Sequence, residues 1–167
     1  MTNEEKLQKD PLITLLVENK INSTLTGGCI IDILEDRKPK DYDFRYISDM
    51  DLQKVGATYM YETKTAKTFK TKKFVIQVLK TLKEDFDFKI STVELKISFN
   101  YPVAITIDDV SFNNKMLIPQ EKSFIEKKNA LNSLRRIPHW RRKGYNIADE
   151  TYMSLLNVVG KSSSNNS

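Results

Sequence analysis

The stretch LTGGCIIDILEDRKPKDYDF, residues 25–44, decides the fold that this chain is expected to take. It opens with a short β-type run that ends in Gly27 and Gly28. Residues 29–34 then carry apolar side chains at helical spacing, and the closing D-Y-D-F alternates as a strand does. The stretch therefore predicts a strand, a glycine turn, a helix and a second strand in immediate succession.

The closing run carries two carboxylates, Asp41 and Asp43, that are two positions apart. Side chains at i and i+2 of a strand project to the same side, so both charges are expected on one side of the sheet. Like charges held together repel, and a divalent cation relieves them; oxygen ligands of this kind suit Mg²⁺ or Mn²⁺. A helix-capping turn followed by two surface aspartates is the alternative, and it leaves the shared side unexplained.

The glycine pair predicts a phosphate site next to these carboxylates. Gly27 and Gly28 leave backbone N–H groups open at the start of a helix, where a phosphate can bind. A phosphate cradle beside a metal-binding acid pair is the equipment of phosphoryl or nucleotidyl transfer. Lys38 and Lys40 in the spacer are candidates to contact a triphosphate or product, with a solvated loop as the alternative. Arg45 is expected to face away from the carboxylates, at the surface.

These residues resemble the nucleotidyltransferase signature of the DNA polymerase β superfamily. They are most similar to the head domain of class II tRNA nucleotidyltransferases (CCA-adding enzymes) and bacterial poly(A) polymerases. The family pattern G-G-x-V-R-D-x-L, a spacer and D-x-D reads here as GGCIIDIL, EDRKPK and DYD, without a gap from residue 27 to 43. The resemblance implies an α+β fold, with an antiparallel or mixed sheet of about five strands packed by helices and followed by a basic helical segment.

A third carboxylate, Asp87, is the candidate that completes the metal site. It lies in the apolar-acid-apolar triplet F-D-F, where polymerase β-type enzymes carry a third acid on a neighbouring strand. A second alignment sets Asp87 on the Asp of the family's R-R-D-F-T-I-N-A segment, which leaves Gln77 where a family strand carries a Glu. Both alignments retain Asp87, and a strand-edge aspartate that caps a turn is the alternative.

The C-terminal part changes to helical spacing and positive charge from residue 121 onward. Arg135 and Arg142 match family positions and are candidates for nucleotide binding, although a basic helix face is often only solvated. Pro138 is predicted to kink or break this helix, and Gly144 to end it. The segment contains the following cations: Lys122, Lys127, Lys128, Arg135, Arg136, Arg141, Arg142 and Lys143.

Several features of the family pattern are missing from this chain. Ile31 replaces an arginine that contacts phosphates, and the base-reading E-D-x-x-R motif falls on K-N-A-L-N at residues 128–132. The arginines before the D-F-T segment are absent as well. The resemblance therefore retains the metal site and the glycine turn, and loses nucleotide selection.

Other elements follow from local signals along the chain. Asp10 and Pro11 are typical of a helix start, and Ser48 or Asp49 of a second, short one. Further strands are predicted at 58–61, 66–70 and 74–79, a hairpin at 93–99 and 103–110 around N-Y-P, and a last helix at 152–159. Asp108 and Asp109 are expected in a turn or at an exposed edge.

Composition bounds the class of protein. The chain has 167 residues, a net charge of +5 and one cysteine, Cys29, so an intrachain disulfide is excluded and a cytoplasmic location is expected. No apolar run is long enough to span a membrane, and residues 1–9 carry no secretory signal. We predict a nucleotidyltransferase head over 1–120, a basic helical segment over 121–159 packed on the same domain, and a disordered tail over 160–167.

The predicted activity is metal-dependent transfer of a nucleoside monophosphate from an NTP to a hydroxyl, with release of pyrophosphate. Asp41 and Asp43, assisted by Asp87, are the expected Mg²⁺ or Mn²⁺ ligands and catalytic residues. Gly27, Gly28, Lys40, Arg135 and Arg142 are the expected nucleotide-binding residues. The expected acceptor is an RNA or tRNA 3′ end, with a protein or small molecule as alternatives. A catalytically silent fold that binds RNA or a protein is the rival interpretation.

Overall fold

The computed structural model describes residues 1–98 and 103–161 of the chain, apart from the side chain of residue 84. The described α-helices lie at Asn3–Gln8 (α1), Pro11–Glu18 (α2), Gly28–Leu34 (α3), Asp49–Lys54 (α4), Asp109–Asn114 (α5), Lys127–Arg141 (α6) and Asp149–Lys161 (α7). The described strands lie at Ser23–Thr26 (β1), Tyr42–Tyr46 (β2), Thr58–Glu62 (β3), Ala66–Lys70 (β4), Val75–Leu79 (β5), Glu94–Ile97 (β6) and Ala104–Thr106 (β7). Single turns of 3-10 helix lie at Lys83–Asp85, Lys89–Thr92 and Glu121–Phe124.

The strands form one mixed sheet in the order β3-β4-β5-β2-β1-β6-β7. The β2–β5 pair is parallel, and the other pairs are antiparallel. This confirms the predicted α+β class with its antiparallel or mixed sheet, but the described strands number seven rather than about five. The strands predicted at 58–61 and 66–70 are both confirmed, and they extend one edge of the sheet beyond the other five strands.

The chain divides into two compact units. The first comprises Met1–Thr81 and Val93–Thr106, and it contains the whole sheet. The second comprises Leu82–Thr92 and the chain from Ile107 onward. Our division at residue 120, with the basic segment packed on the same domain, stays a prediction.

The first unit begins its helices where the sequence signals them. Asp10 caps α2, and its Oδ2 accepts hydrogen bonds from the backbone N–H groups of Leu12 (3.1 Å) and Ile13 (3.2 Å). Ser48 caps α4 in the same manner through the N–H of Asp51, at 3.1 Å. Both starts were expected from the side-chain oxygen that such positions require. Helices α2 and α3 then bury apolar side chains in the core of this unit: Leu12, Ile13, Leu16, Cys29, Ile30, Ile31, Ile33 and Leu34.

Three elements differ from expectation. Residues 3–8 form helix α1, which their polar character hides, and its one buried side chain is Leu7. Asp108 and Asp109 begin helix α5 rather than a turn or edge, because the Asp108 carboxylate accepts the N–H of Ser111 at 3.1 Å. The second strand of the expected hairpin is only Ala104–Thr106.

Two expectations concern residues that lie partly or wholly outside the part of the chain that the structure describes. The hairpin turn at N-Y-P lies outside the described residues, although β6 and β7 pair antiparallel as a hairpin requires. The expected disordered tail overlaps helix α7 at Gly160 and Lys161, and residues 162–167 lie outside the description.

Helix α6 dominates the second unit, and Pro138 does not end it. Proline removes one backbone hydrogen bond, but Ile137 and Trp140 on either side are buried at 2% and 1% exposure and hold the helix in place. The expected break is therefore wrong, the alternative of a kink at Pro138 stays a prediction, and the expected end is confirmed. Gly144 takes a left-handed φ of +89°, and the helix finishes just before it.

Candidate active site

Gly27 forms the turn between β1 and α3 with a backbone that other residues avoid. Its φ is +81° and its ψ −159°, a region that is essentially restricted to glycine. Its N–H donates to the carbonyl of Val93 at 3.3 Å, so this group is bonded to the backbone and is not, as the sequence predicted, open to a phosphate. A Cβ at this position would lie 3.5 Å from Oδ2 of Asp43. The absence of a side chain therefore keeps bare backbone next to that carboxylate.

The two carboxylates alternate with core side chains along the start of β2. Tyr42 and Phe44 are buried at 4% and 0% exposure, while Asp41 and Asp43 are half-buried. Because alternate residues of a strand face opposite sides, Asp43 faces the side that Tyr42 and Phe44 do not occupy; Asp41 directly precedes β2, and its place on the same side stays a prediction. The antiparallel register sets Asp43 opposite Thr26, the last residue before the glycine turn. The glycine turn and the acid pair are thus neighbours across β1 and β2.

Cys29 shows the electrostatic effect of this arrangement. Its buried thiol donates to the carbonyl of Thr26 at 3.4 Å. Burial raises the pKa of this thiol strongly, and the negative charge of Asp43 raises it further, followed by smaller effects of Asp41 and Asp32. Cys29 is therefore a protonated core residue, as the sequence indicated, and it lies in a field of negative charge that a bound cation would offset.

Gln77 is the nearest residue to the pair on the adjoining strand. The parallel β2–β5 register sets Gln77 beside Asp43, so the half-buried amide lies on the same side of the sheet as the carboxylate of Asp43. Two carboxylates and one amide carbonyl are hard oxygen ligands, which fit Mg²⁺. Within residues 1–98 and 103–161, no group of three or more His, Cys, Asp or Glu side chains is placed to hold a metal ion. The acidic part of the candidate site in this structure is therefore the Asp41–Asp43 pair.

Asp87 belongs to the second unit, where it has a cationic partner. Its Oδ2 lies 3.3 Å from Nε of Arg136 on α6. Burial raises the pKa of this carboxyl, and the charge of Arg136 opposes that rise. Its backbone carbonyl accepts hydrogen bonds from the hydroxyl of Ser133 and the N–H of Gln120, both at 3.3 Å. These contacts tie the F-D-F triplet to α6, and the role of Asp87 at a metal stays a prediction.

The remaining predicted residues divide between the units. Gly27, Gly28, Asp41, Asp43 and Lys40 belong to the first unit, and the structure brings the first four into one strand-turn-helix-strand segment. Lys40 is exposed. Together with Tyr42 it lines a cavity elsewhere in the first unit. Arg135 and Arg142 are exposed on α6 and at its C-terminal cap in the second unit.

Arg45 is the residue that sequence reasoning misplaced. It is two positions after Asp43, so the alternation of β2 sets it on the carboxylate side rather than away from it. Its side chain is half-buried, and its guanidinium donates to the carbonyl of Thr81. The sequence could have shown this, because the same i, i+2 rule that predicts Asp41 and Asp43 on one side also sets Arg45 on the side of Asp43.

Comparisons with known proteins identify the fold. No family model and no curated protein matches the chain. Among solved structures, a Thermotoga maritima CCA-adding enzyme complexed with tRNA matches with a TM-score of 0.70 and 16% identity over 96% of this chain and 46% of its own. A tRNA nucleotidyltransferase complexed with a primer tRNA and an incoming ATP analogue matches with a TM-score of 0.64 and 15% identity, over 89% and 50%. A CCA-adding enzyme in complex with CTP matches with a TM-score of 0.68 and 16% identity, over 96% of this chain and 45% of its own.

The fold is therefore that of the head region of CCA-adding enzymes, as the sequence signature indicated. The chain spans about half the length of the structures it matches, and at these identities the likeness establishes the fold alone. Among the described helices, none combines the length and apolarity that crossing a membrane would need.

Proposed function

We propose that this chain is a metal-dependent nucleotidyltransferase that moves a nucleoside monophosphate from an NTP to a hydroxyl group and releases pyrophosphate. The observation that carries the proposal is the approach of Asp43 Oδ2 to the bare backbone of Gly27, 3.5 Å from the position of its missing Cβ. A carboxylate beside side-chain-free backbone leaves room for a phosphate and its cation together. The fold of the CCA-adding head supports the same assignment.

Asp41 and Asp43 would hold Mg²⁺ or Mn²⁺, with the amide oxygen of Gln77 beside them. An ion held there would neutralise charge on the triphosphate and would lower the pKa of the acceptor hydroxyl. Gly27 and the N–H groups that follow it, starting with that of Gly28, receive the phosphates of the NTP. Asp87 stays our candidate for a third acidic ligand.

The transfer itself exchanges a phosphoanhydride bond of the NTP for a phosphoester bond to the acceptor. The acceptor oxygen bonds to the α-phosphorus and gives its proton to solvent, while the bond from that phosphorus to the oxygen bridging to the β-phosphate breaks. Pyrophosphate leaves with the electron pair. Asp41 and Asp43 would orient the reacting groups at the start of β2.

We propose an RNA 3′ end as the acceptor. Two of the matched structures contain tRNA, and the second unit exposes Arg135 and Arg142 for contacts to a phosphate backbone or the incoming nucleotide. A hydroxyl on a protein or a small molecule is the alternative acceptor, because at 15–16% identity the likeness to those tRNA-bound proteins extends to the fold alone.

A catalytically silent module that binds RNA or a protein is the second candidate. It is favoured by the neutral Gln77 beside Asp43 and by Ile31, which replaces the expected phosphate-contacting arginine in the core of α3. Such a module would bind RNA through the basic α6 with an affinity that falls steeply with salt and does not depend on Asp41 or Asp43.

The test incubates the protein with each α-³²P-labelled NTP, Mg²⁺ and a total RNA and protein extract, beside an Asp41→Ala/Asp43→Ala variant. We expect label in an RNA band, and its loss in the variant. Label in a protein band would keep the reaction and change the acceptor. A folded protein that transfers no label with any NTP, and whose RNA affinity is unchanged in the variant, is the binding module instead.

A further inference from the structure

A cavity of about 390 Å³ lies in the first unit, away from the side of β2 that carries Asp43. Its walls come from the α1–α2 junction, the loop after α3 and the start of β5. Tyr42 lines it, and Tyr42 projects from β2 to the side opposite Asp43. The cationic lining residues are Lys6, Lys9, Arg37, Lys38, Lys40 and Lys73.

The two acids in the lining, Asp10 and Asp36, have other partners. Asp10 accepts two N–H groups at the start of α2 and the hydroxyl of Tyr42, whose oxygen lies 2.8 Å away. Asp36 is highly exposed and pairs with Lys6 at 3.6 Å. Arg37 is likewise occupied, because its Nε lies 3.1 Å from the carboxylate of Asp32 outside the cavity lining.

Four lysines remain around the opening: Lys9, Lys38, Lys40 and Lys73. Within the described part of the chain, none of the four forms an ion pair. Several lysines that line one concave surface produce a positive potential there, which attracts an anion.

Part of the cavity lining is apolar and aromatic. Phe74 meets Tyr42 edge to face with ring centroids 5.7 Å apart, and Pro39 and Ile33 lie buried in the same lining. Phe74 keeps part of its surface exposed. A planar ring can pack on this part of the lining while an attached phosphate reaches the lysines, as stacked bases do on aromatic side chains.

We propose that this cavity binds a nucleotide unit, with its phosphate between Lys9, Lys38, Lys40 and Lys73 and its base against Phe74. The volume falls in the range of small-ligand sites, about 300–1,000 Å³. The site is additional to the NTP site at Gly27 and Asp43, because β2 separates the two. Lys40, expected to contact the triphosphate of the substrate, serves this second nucleotide. The unit can come from a free nucleotide or from an RNA strand.

The experiment measures binding with the catalytic site silenced. The Asp41→Ala/Asp43→Ala protein is titrated in EDTA at low salt with ATP, by calorimetry, and with a fluorescein-labelled single-stranded RNA decamer, by anisotropy. Lys38→Glu/Lys73→Glu reverses two charges in the cavity. Lys64→Glu/Lys70→Glu is the matched control, because it changes the net charge equally at exposed lysines of the same unit that do not line the cavity.

We expect the cavity variant to bind at least about tenfold more weakly and the control to stay within about twofold. A Phe74→Ala variant is titrated with ATP and, separately, with inorganic phosphate. It should lose more affinity for ATP than for phosphate, because only ATP has a base that can pack on Phe74. ATP binding with this pattern assigns the site to a free nucleotide, and binding of the decamer alone assigns it to RNA. Equal losses in the two double variants, or no binding of either probe up to about 1 mM, overturn the proposal. Circular dichroism checks folding, and Lys38→Gln/Lys73→Gln replaces the cavity variant if the charge reversal unfolds the chain.

Discussion

The two units of this chain place an aspartate in contrasting surroundings. In the first unit, Asp43 faces the bare backbone of Gly27, with the neutral Gln77 beside it on the next strand. In the second, Asp87 faces the guanidinium of Arg136 on α6. A glycine leaves space next to a carboxylate, whereas an arginine fills that space and supplies the opposite charge. The first arrangement supports the ligand-binding role that we propose for Asp43, whereas the second shows Asp87 in contact with a helix, and its role at a metal stays a prediction.

The largest expected effect is on the carboxylates of the first unit. Asp43→Asn keeps the side-chain shape and removes the charge, so we expect transfer of labelled nucleotide to fall at least about a hundredfold, as loss of a metal ligand does. Asp49→Asn, at an exposed aspartate of α4 in the same unit, is the control and should keep full activity. Equal activity in both variants would remove Asp43 from the reaction.

Gly27→Ala tests the space beside Asp43. The left-handed φ predicts a loss of about 1–3 kcal/mol in the free energy of unfolding, measured by urea denaturation. Gly56→Ala is a matched control, because its φ of +75° imposes similar strain while no atom lies within 4 Å of the added Cβ. We expect both variants to lose stability and only Gly27→Ala to lose transfer, by about tenfold or more at a temperature where both are folded.

Gln77→Glu sharpens the comparison by adding a third carboxylate to the first unit. A second acidic side chain beside Asp43 should raise the affinity for Mg²⁺ by about tenfold. The reason is that a negative charge about 4 Å from a cation stabilises it by more than about 1 kcal/mol at the effective dielectric constant of such sites. The measurement is the Mg²⁺ concentration that gives half-maximal transfer or half-maximal thermal stabilisation. Gln53→Glu, on exposed α4, is the control and should leave that concentration unchanged.

The smallest expected effect is the pH dependence of stability in the second unit. Burial raises the pKa of Asp87 above its ordinary value of 3.8, so the folded state binds its proton more tightly than the unfolded state. Its contribution therefore favours folding below pH 3.8 and is lost as pH rises through the folded pKa. We expect the stability of the wild type relative to Asp87→Asn to fall as pH increases across that window, in urea titrations with EDTA.

Asp85 provides the control of opposite sign for that titration. The hydrogen bond from Lys122 lowers the pKa of this exposed carboxyl, so its contribution is present above pH 3.8 and lost as pH falls through the folded pKa. The stability of the wild type relative to Asp85→Asn should thus rise with pH. Parallel slopes for the two variants would mean that Asp87 is not buried as described.

Much of the first unit could be predicted from local signals. The cap at Asp10, the strand at Ser23–Thr26 and the glycine turn each depend on residues within one turn of the chain, so the sequence specifies them directly. Helix α1 was missed because its residues are mostly polar and only Leu7 is buried. The start of α5 was missed because Asp108 was interpreted as part of a turn or edge rather than as a helix cap. At Pro138 the local rule that proline breaks a helix failed, because the burial of the neighbouring side chains outweighs it.

The sequence by itself determined the strand-turn-helix-strand segment, the side of β2 that Asp43 faces, and the need for glycine at position 27. These follow from alternation and backbone sterics, which act over a few residues. Only the tertiary structure decided that Gln77 adjoins Asp43, that Arg136 pairs with Asp87, and that four lysines from three separate loops line one cavity. Strand register and helix docking depend on the packing of distant segments, which no local pattern in the sequence encodes.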